Sequence, residues 1–168
     1  SRPQRPDSTL KLRGKGIRMD REPKRIIIVD DSEIYRSGLR DFINRHEGLR
    51  VVAEAECGLK AIEAVQQVPA DLLLLDLSLP RYSGFDVLKE IRKISEIKVL
   101  ALSIFESPEM ISRVFELGAQ GYCVKDVRAK QLLNAIWHAL EGKPFVCTHA
   151  EGELSFDEIA KPRGGDSE

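Results

Sequence analysis

Short apolar segments alternate with amphipathic segments five times along residues 25–141, and this alternation limits the possible folds more than any other feature. The apolar segments span residues 25–29, 49–55, 72–75, 98–102 and 121–124. After the basic residues Arg25 and Lys98 that begin two of them, the first, third and fourth are apolar without alternation, which is typical of parallel strands covered on both faces. We therefore predict five strands, each followed by a helix.

The helical spacing of apolar residues predicts helices over residues 32–45, 59–67, 84–93, 108–117 and 128–141. Five apolar residues of the first helix are expected on one buried face: Ile34, Tyr35, Leu39, Phe42 and Ile43. Ser107 and Pro108 are typical of a helix start, and Gly118 and Gly142 are typical of residues just after a helix end.

A strand-helix unit repeated five times favours an α/β three-layer sandwich with a parallel sheet and right-handed crossovers. One such domain fits a chain of 168 residues, 42% of them hydrophobic, and needs no disulfide or metal to hold its core. We assign residues 25–145 to this domain, residues 1–24 to a disordered basic N-terminal extension, and residues 146–168 to an acidic linker or tail.

The charge balance and the cysteines exclude several classes of protein. Lysine and arginine number 26 against 27 aspartates and glutamates, and the middle of the chain is mildly acidic, which argues against a nucleic-acid interface. No apolar segment approaches the roughly 20 residues of a membrane-spanning helix. The three cysteines lie far apart without a C-x-x-C pair, so we expect a cytoplasmic protein with no membrane contact.

Polar side chains follow four of the five predicted strands. Asp30 and Asp31 follow the first strand, Asp76 the third, Ser103 the fourth and Lys125 the fifth. Because parallel strands end at one edge of the sheet, where ligands of such folds bind, we expect these side chains to converge there. Carboxylates are the ligands that Mg²⁺ prefers, so the pattern indicates a magnesium site. Taken singly, Asp31 also fits a helix N-cap, Asp76 a turn residue and Lys125 a solvated side chain.

Four motifs carry a family resemblance: IIIVDD, LLLLDLSLPRYSG, VLALS and GAQGYCVKD resemble the receiver domain of bacterial two-component response regulators. The resemblance covers about residues 25–141 and implies a flavodoxin-like (βα)5 sandwich with strand order 2-1-3-4-5. The run that begins with GAQGYCVKD is most similar to receivers of the NarL/LuxR (FixJ-like) subfamily, which precede a helix-turn-helix output domain.

The resemblance implies a role for each acid. Asp76 is the expected phosphoacceptor, whose carboxylate takes a phosphoryl group from the phosphohistidine of a sensor histidine kinase. Asp30 and Asp31 are expected to hold Mg²⁺, with Asp76 and the backbone carbonyl of Ser78 as the remaining protein ligands. Catalysis of such a transfer consists mostly of positioning and charge neutralisation.

The resemblance also implies a conformational relay. Lys125 is expected to neutralise the phosphoryl group and Ser103 to donate a hydrogen bond to it. Tyr122 matches the aromatic residue that moves inward with the serine hydroxyl, although a plain core tyrosine fits this position equally well. A homodimer is expected through the surface of the fourth helix, fifth strand and fifth helix, or through the first and fifth helices.

Some features depart from the family pattern. Ile104 stands where a small residue is usual, and Asp126 stands where proline is frequent. The residues after Gly142 are too few for a DNA-binding domain, so we expect no direct DNA binding by this chain. We therefore expect a phosphorylation-dependent switch in transcription regulation, with no independent enzymatic substrate. The alternatives are an interaction module that works without phosphorylation and a flavodoxin-like small-molecule binding domain, which the lack of a glycine-rich loop after the first strand disfavours.

Overall fold

The computed structural model describes residues 22–149 and 152–155. The strands are β1 (Lys24–Val29), β2 (Leu49–Ala55), β3 (Leu72–Asp76), β4 (Lys98–Ser103), β5 (Gly121–Val124), β6 (Phe145–Thr148) and β7 (Gly152–Ser155). The helices are α1 (Glu33–Asn44), α2 (Gly58–Gln67), α3 (Gly84–Ile94), α4 (Pro108–Glu116) and α5 (Ala129–Leu140). Nearly all of the predicted disordered extension lies outside the described residues, and Lys24, its last residue, already belongs to β1.

The strands form one sheet in the order β2-β1-β3-β4-β5-β6-β7. Strands β1 to β6 pair in parallel and β7 pairs antiparallel to β6. The predicted α/β fold and the strand order 2-1-3-4-5 are therefore confirmed, with two further strands beside β5. In the register, Val29 lies beside Ala55 and Leu75, so the carboxyl ends of neighbouring strands meet at one edge, which we call the carboxyl edge.

Two hydrophobic cores cover the two faces of the sheet. One core joins α2, α3 and α4 to alternate strand residues such as Ile27 and Leu73. The other joins α1 and α5 to the intervening residues, such as Ile26 and Leu72. Each of these strand side chains is fully buried, and burial of an aliphatic side chain of this size contributes about 1.5–3 kcal/mol. The uninterrupted apolar runs of β1, β3 and β4 follow from this two-sided burial.

The helix ends agree with the residues that predicted them. Ser107 caps α4 by accepting a hydrogen bond from the N–H of Met110, and Pro108 occupies the first turn. Gly118 and Gly142 follow α4 and α5 with φ of 98° and 77°, a left-handed backbone that glycine adopts without strain. Among the described residues, no helix is both long and apolar enough to cross a membrane.

The predicted burial of Ile34 is wrong. Its side chain is 86% exposed, whereas Leu39 and Ile43 of the same helix are buried. Successive residues of a helix are rotated by about 100°, so Ile34 lies about 140° from Leu39 and faces away from the sheet. The apolar face of α1 instead runs through Tyr35, Leu39, Phe42 and Ile43.

Strand β6 differs from the sequence prediction, which assigned residues 146–168 to a linker or tail. All four residues of β6 are buried, and the ring of Phe145 stacks on His138 of α5 at a centroid distance of 4.2 Å. Val146 joins one core and Cys147 the other. Because both faces of the strand are covered, residues 145–148 belong to the folded domain.

Candidate functional site

The strand ends bring four predicted side chains together at the carboxyl edge, and the fifth, Ser103, ends the neighbouring strand β4. The Lys125 Nζ atom lies 2.6 Å from Asp30 Oδ2 and 3.4 Å from Asp76 Oδ1. Carboxylate oxygens of Asp30, Asp31 and Asp76 all lie within 4.8 Å of one another. Asp30, Asp76 and Ser103 are buried, whereas Asp31 is exposed. The predicted convergence therefore exists, with a path to solvent on the side of Asp31.

Asp30 is fixed by contacts to its side chain and its backbone. Its Oδ1 atom accepts a hydrogen bond of 2.8 Å from the N–H of Ser32, and its Oδ2 atom accepts from Lys125. Arg36 donates to the Asp30 carbonyl at 2.5 Å and pairs with Glu54 at 3.0 Å. A buried carboxylate with these donors is satisfied and held in one orientation toward its neighbours.

The environment of Asp76 disfavours the ionised form of its carboxyl. Burial, and then the negative charge of Asp30, raises the pKa of Asp76 above its ordinary value of 3.8, while the N–H of Ser78 and the ammonium of Lys125 oppose the rise. The Ser78 N–H donates to Asp76 Oδ1 at 3.0 Å. This contact orients the carboxylate, and the predicted metal-ligand role of the Ser78 carbonyl stays a prediction.

Gly84 allows α3 to begin directly against the end of β3. A Cβ atom at Gly84 would lie 2.5 Å from the Asp76 carbonyl oxygen and 2.5 Å from the Leu77 Cα atom. The Gly84 N–H also donates to the Leu77 carbonyl at 3.2 Å. The Gly84 contact therefore fixes the backbone that carries Asp76, a role that the sequence did not indicate, since residue 84 was predicted only as the start of a helix.

Lys125 is enclosed on two sides. Its side chain is 14% exposed. Its Nζ atom contacts the carboxylates of Asp30 and Asp76 and lies over the aromatic ring of Tyr35, 4.5 Å from the ring centroid. Burial and the nearby acidic groups, Asp30 and Asp76 among them, raise the pKa of the Tyr35 hydroxyl. The ammonium therefore lies between two negative groups and the face of a neutral ring.

The donor set fits a hard divalent cation. Three carboxylates within reach of one point supply oxygen ligands, and the exposure of Asp31 leaves room for water ligands of the kind that Mg²⁺ retains. Lys125 neutralises part of this negative charge in the structure. The acids thus form a candidate metal site in which a cation would compete with Lys125 for Asp30.

Ser103 and Tyr122 are connected through one peptide segment. The Ser103 Oγ atom accepts a hydrogen bond of 3.0 Å from the N–H of Phe105, and the Tyr122 hydroxyl donates to the Phe105 carbonyl at 2.5 Å. Tyr122 is fully buried, and burial raises its pKa while contact with Ser103 opposes the rise. A displacement of the Ser103 hydroxyl would therefore act on the loop that also holds Tyr122.

Several residues at the site escaped the sequence analysis. Tyr35 was expected only as a core residue, and Arg36 was not singled out. His149 was not singled out either, yet its ring lies between Glu106 and Asp126, next to the site. The contacts of these residues with Lys125, Glu54, Glu106 and Asp126 join parts of the chain that only the fold brings together, so no spacing pattern could have indicated them.

Comparison with known proteins gives a consistent result. Residues 26–137 match the family described as Response regulator receiver domain. The chain is 31% identical over 125 residues to the nitrate/nitrite response regulator protein NarL of Escherichia coli, a match that covers 74% of this chain and 58% of NarL. It thus spans little more than half the length of the curated relatives it matches.

Solved structures agree with this match. A two-component response regulator of the LuxR family from Aurantimonas sp. SI85-9A1 superimposes with a TM-score of 0.70 at 31% identity, covering 73% of this chain and 89% of that one. The isolated receiver domain of RcsB from Salmonella enterica, determined with the phosphomimetic BeF3⁻, superimposes with a TM-score of 0.68 at 28% identity, covering 74% and 94%.

Proposed function

The chain belongs to the response regulator receiver domains, with relatives of the NarL/LuxR type, and from this premise we propose that Asp76 is its phosphoacceptor. The observation that carries the proposal is the position of the buried Asp76 carboxylate, 3.4 Å from Lys125 and within 4.8 Å of two further acids. A nucleophile, a cation and a candidate metal site at one strand edge are the parts that phosphoryl transfer needs.

In the proposed reaction, a carboxylate oxygen of Asp76 attacks the phosphorus of a phosphohistidine. The bond between phosphorus and the imidazole nitrogen breaks, and its electron pair stays on the donor's nitrogen, which then takes up a proton. Lys125 faces the incoming negative charge, and the Ser78 N–H keeps the Asp76 carboxylate in a fixed orientation. Bound Mg²⁺, held by Asp30, Asp31 and Asp76, would neutralise charge on the transferred group.

The proposed output begins at Ser103. Its hydroxyl turns from the Phe105 N–H toward the phosphoryl group, which releases the loop that Tyr122 holds by its own hydrogen bond. A phosphoryl group brings roughly −1.5 to −2 charges at neutral pH, so the change at Asp76 is mainly electrostatic. Tyr122 then carries the change from the site to the loop before α4.

The proposed protein partner is a sensor histidine kinase. Four large apolar side chains are exposed at the carboxyl edge around the acids: Ile34, Leu59, Ile104 and Phe105. They begin α1 and α2 or follow β4, so all of them lie on the side from which a donor must approach. Exposed apolar groups around a polar centre are typical of a protein docking surface.

The remaining parts of the proposal follow from the family. Two-component receivers work in the cytoplasm, signal by changing contacts and have no substrate of their own, and the relatives' names connect them to transcription. We place the domain in such a pathway, with no direct DNA contact by these residues. For a phosphorylation-dependent homodimer, the α1 and α5 surface is favoured, because the outer edge of β5 is paired with β6.

The decisive experiment measures intact mass after incubation with Mg²⁺ and acetyl phosphate. The wild-type chain should gain one phosphoryl group and Asp76→Asn should gain none. The matched control is Asp41→Asn, which changes an exposed carboxylate of α1 and should label like wild type. Equal labelling of Asp76→Asn would refute the assignment, and no labelling of wild type by any phosphodonor would favour a module that works without phosphorylation.

The metal assignment has a separate test. Asp31 is the exposed acid of the cluster, so its removal leaves the buried contacts of Asp30 and Asp76 in place. Asp31→Ala should require much more Mg²⁺ for half-maximal labelling, because one of three carboxylate ligands is lost. An unchanged Mg²⁺ requirement would remove Asp31 from the ligand set.

A further inference from the structure

Tyr35 contacts the rim lysine with its ring face. The Lys125 Nζ atom lies 4.5 Å from the ring centroid, and the ring packs against the core between α1, α5 and the sheet. The backbone of Tyr35 is fixed as well, because its N–H donates to the N-cap Ser32 Oγ at 3.1 Å. The ring therefore has a defined position from which it can restrain Lys125.

An aromatic face attracts an ammonium group without adding a formal charge. The attraction is strongest where water is excluded, and only 14% of the Lys125 side chain is exposed. The two carboxylates draw the same ammonium toward Asp30 and Asp76, and a long flexible side chain would otherwise sample many rotamers when those acids take other partners. A ring face 4.5 Å from the ammonium limits this freedom.

We propose that Tyr35 is a positioning residue that holds the Lys125 ammonium next to Asp76 for contact with a phosphoryl oxygen. The inference rests on the proposed phosphoacceptor role of Asp76. It assigns to α1 a part in the chemistry beyond supplying a packing face. The ring acts through Lys125 alone, so its effect disappears when Lys125 is absent.

A double-mutant cycle tests this dependence. The variants are Tyr35→Leu, Lys125→Ala and the double variant, with Tyr35→Phe as the conservative control that keeps the ring. Two quantities are measured: the affinity for beryllofluoride in Mg²⁺, and the rate of labelling as a function of acetyl phosphate concentration. Thermal unfolding verifies that each variant is folded.

Tyr35→Leu should weaken beryllofluoride binding about tenfold in the wild-type background. Tyr35→Phe should stay within about twofold of wild type, because a phenyl ring keeps the π face. In the Lys125→Ala background, Tyr35→Leu should have no further effect. An equal effect in both backgrounds would show a packing role and overturn the inference, as would a Tyr35→Phe variant as defective as Tyr35→Leu.

The outcomes also separate this inference from the proposed function. If Lys125→Ala itself leaves beryllofluoride binding and labelling unchanged, the proposed role of the site fails and the cycle has no coupling to report. If Lys125→Ala is defective and Tyr35→Leu is not, the site functions as proposed and only the inference about Tyr35 fails.

A second, independent observation concerns His149, the residue after β6. Its Nδ1 atom lies 2.9 Å from Glu106 Oε2 and its Nε2 atom 3.2 Å from Asp126 Oδ2. The backbone N–H of His149 also donates to Glu106 Oε2 at 2.5 Å. Glu106 belongs to the loop after β4, which carries Ser103, and Asp126 follows Lys125.

We infer that His149 links the end of β6 to both loops that border the phosphorylation site, so that a change of these loops is transmitted to β6. The charged groups that the structure places against the imidazole are Glu106, from the loop before α4, and Asp126, from the loop before α5. An imidazolium between two carboxylates holds each loop by an ion pair and a hydrogen bond.

Hydrogen exchange of residues 145–149 tests the link, with and without beryllofluoride in Mg²⁺. In the wild-type chain the mimic should change the exchange rate of this segment about fivefold or more, whereas His149→Ala should abolish the response. His46→Ala is the matched control, because it removes a histidine whose ring packs on Phe42 of its own helix end. The inference would be overturned if His149→Ala kept the wild-type response to beryllofluoride. It would also be overturned if beryllofluoride left the exchange rates of residues 145–149 of the wild-type chain unchanged.

Discussion

Replacement of Gly84 by alanine should displace the backbone that carries Asp76. The new Cβ atom would lie 2.5 Å from both the Asp76 carbonyl oxygen and the Leu77 Cα atom, whereas ordinary contacts begin at 3.4 Å. Relief of these contacts requires a shift of about 1 Å between α3 and the end of β3, and misplacement of this size lowers a reaction rate about 100-fold. Such overpacking should also lower the free energy of unfolding by about 1–3 kcal/mol.

The assays are urea unfolding and the rate of labelling by acetyl phosphate. Gly38→Ala is the matched control, because Gly38 lies inside α1 and nothing lies within 4 Å of a Cβ atom there. That substitution should raise the free energy of unfolding by about 0.5–1 kcal/mol, since alanine favours the helix. A Gly84→Ala variant with wild-type stability and labelling rate would refute the argument that this contact positions Asp76.

Three further predictions concern charge and exposure. Without Mg²⁺, Asp76→Asn should raise the urea midpoint of unfolding at neutral pH, because burial and Asp30 raise the pKa of Asp76 and so disfavour its ionised form in the folded chain. This gain in the urea midpoint should shrink as the pH falls toward 3.8, where the carboxyl becomes protonated in both states. Asp126 and Glu106 raise the pKa of His149 above 6.5. The contribution of the charged imidazole to the stability of the folded chain is therefore fully present below pH 6.5 and is lost as the pH rises through the raised pKa. The difference in melting temperature between wild type and His149→Ala should be larger at about pH 6 than at about pH 9. Ile104 and Phe105 are exposed beside the site, where we expect their side chains to hinder the approach of water to the phosphorus. Ile104→Ala and Phe105→Asn should each shorten the lifetime of the phosphorylated protein, and a tenfold change corresponds to about 1.4 kcal/mol in the hydrolysis barrier. Unchanged decay of the phosphorylated mass in both variants would exclude this shielding.

The sequence predicted the parts of the fold that local patterns control. The uninterrupted apolar runs of β1, β3 and β4 are visible because each strand is covered on both faces, and the caps of α4 are visible because Ser107 and Pro108 act locally. Ile34 was misplaced because its apolar character was taken as evidence of burial, although its angle around the helix points outward. The convergence of Asp30, Asp76 and Lys125 followed from parallel strands alone.

The rest depends on tertiary packing. β6 has four residues, too few for a periodic pattern, and lies in an acidic segment that resembles a linker, so only its pairing with β5 identifies it as a strand. The contact of Lys125 with Tyr35 joins residues far apart in the sequence, as does the contact of His149 with Glu106. Such contacts are visible only after the fold has placed the elements side by side.

The antiparallel direction of β7 determines at which end of the sheet Ser155 lies. β6 runs toward the carboxyl edge, and β7 returns until Ser155 lies beside Phe145, which itself pairs with Gly121 at the start of β5. Four strand residues span about 13 Å. Ser155 therefore lies at the end of the sheet opposite Asp76, a strand length away from the acids.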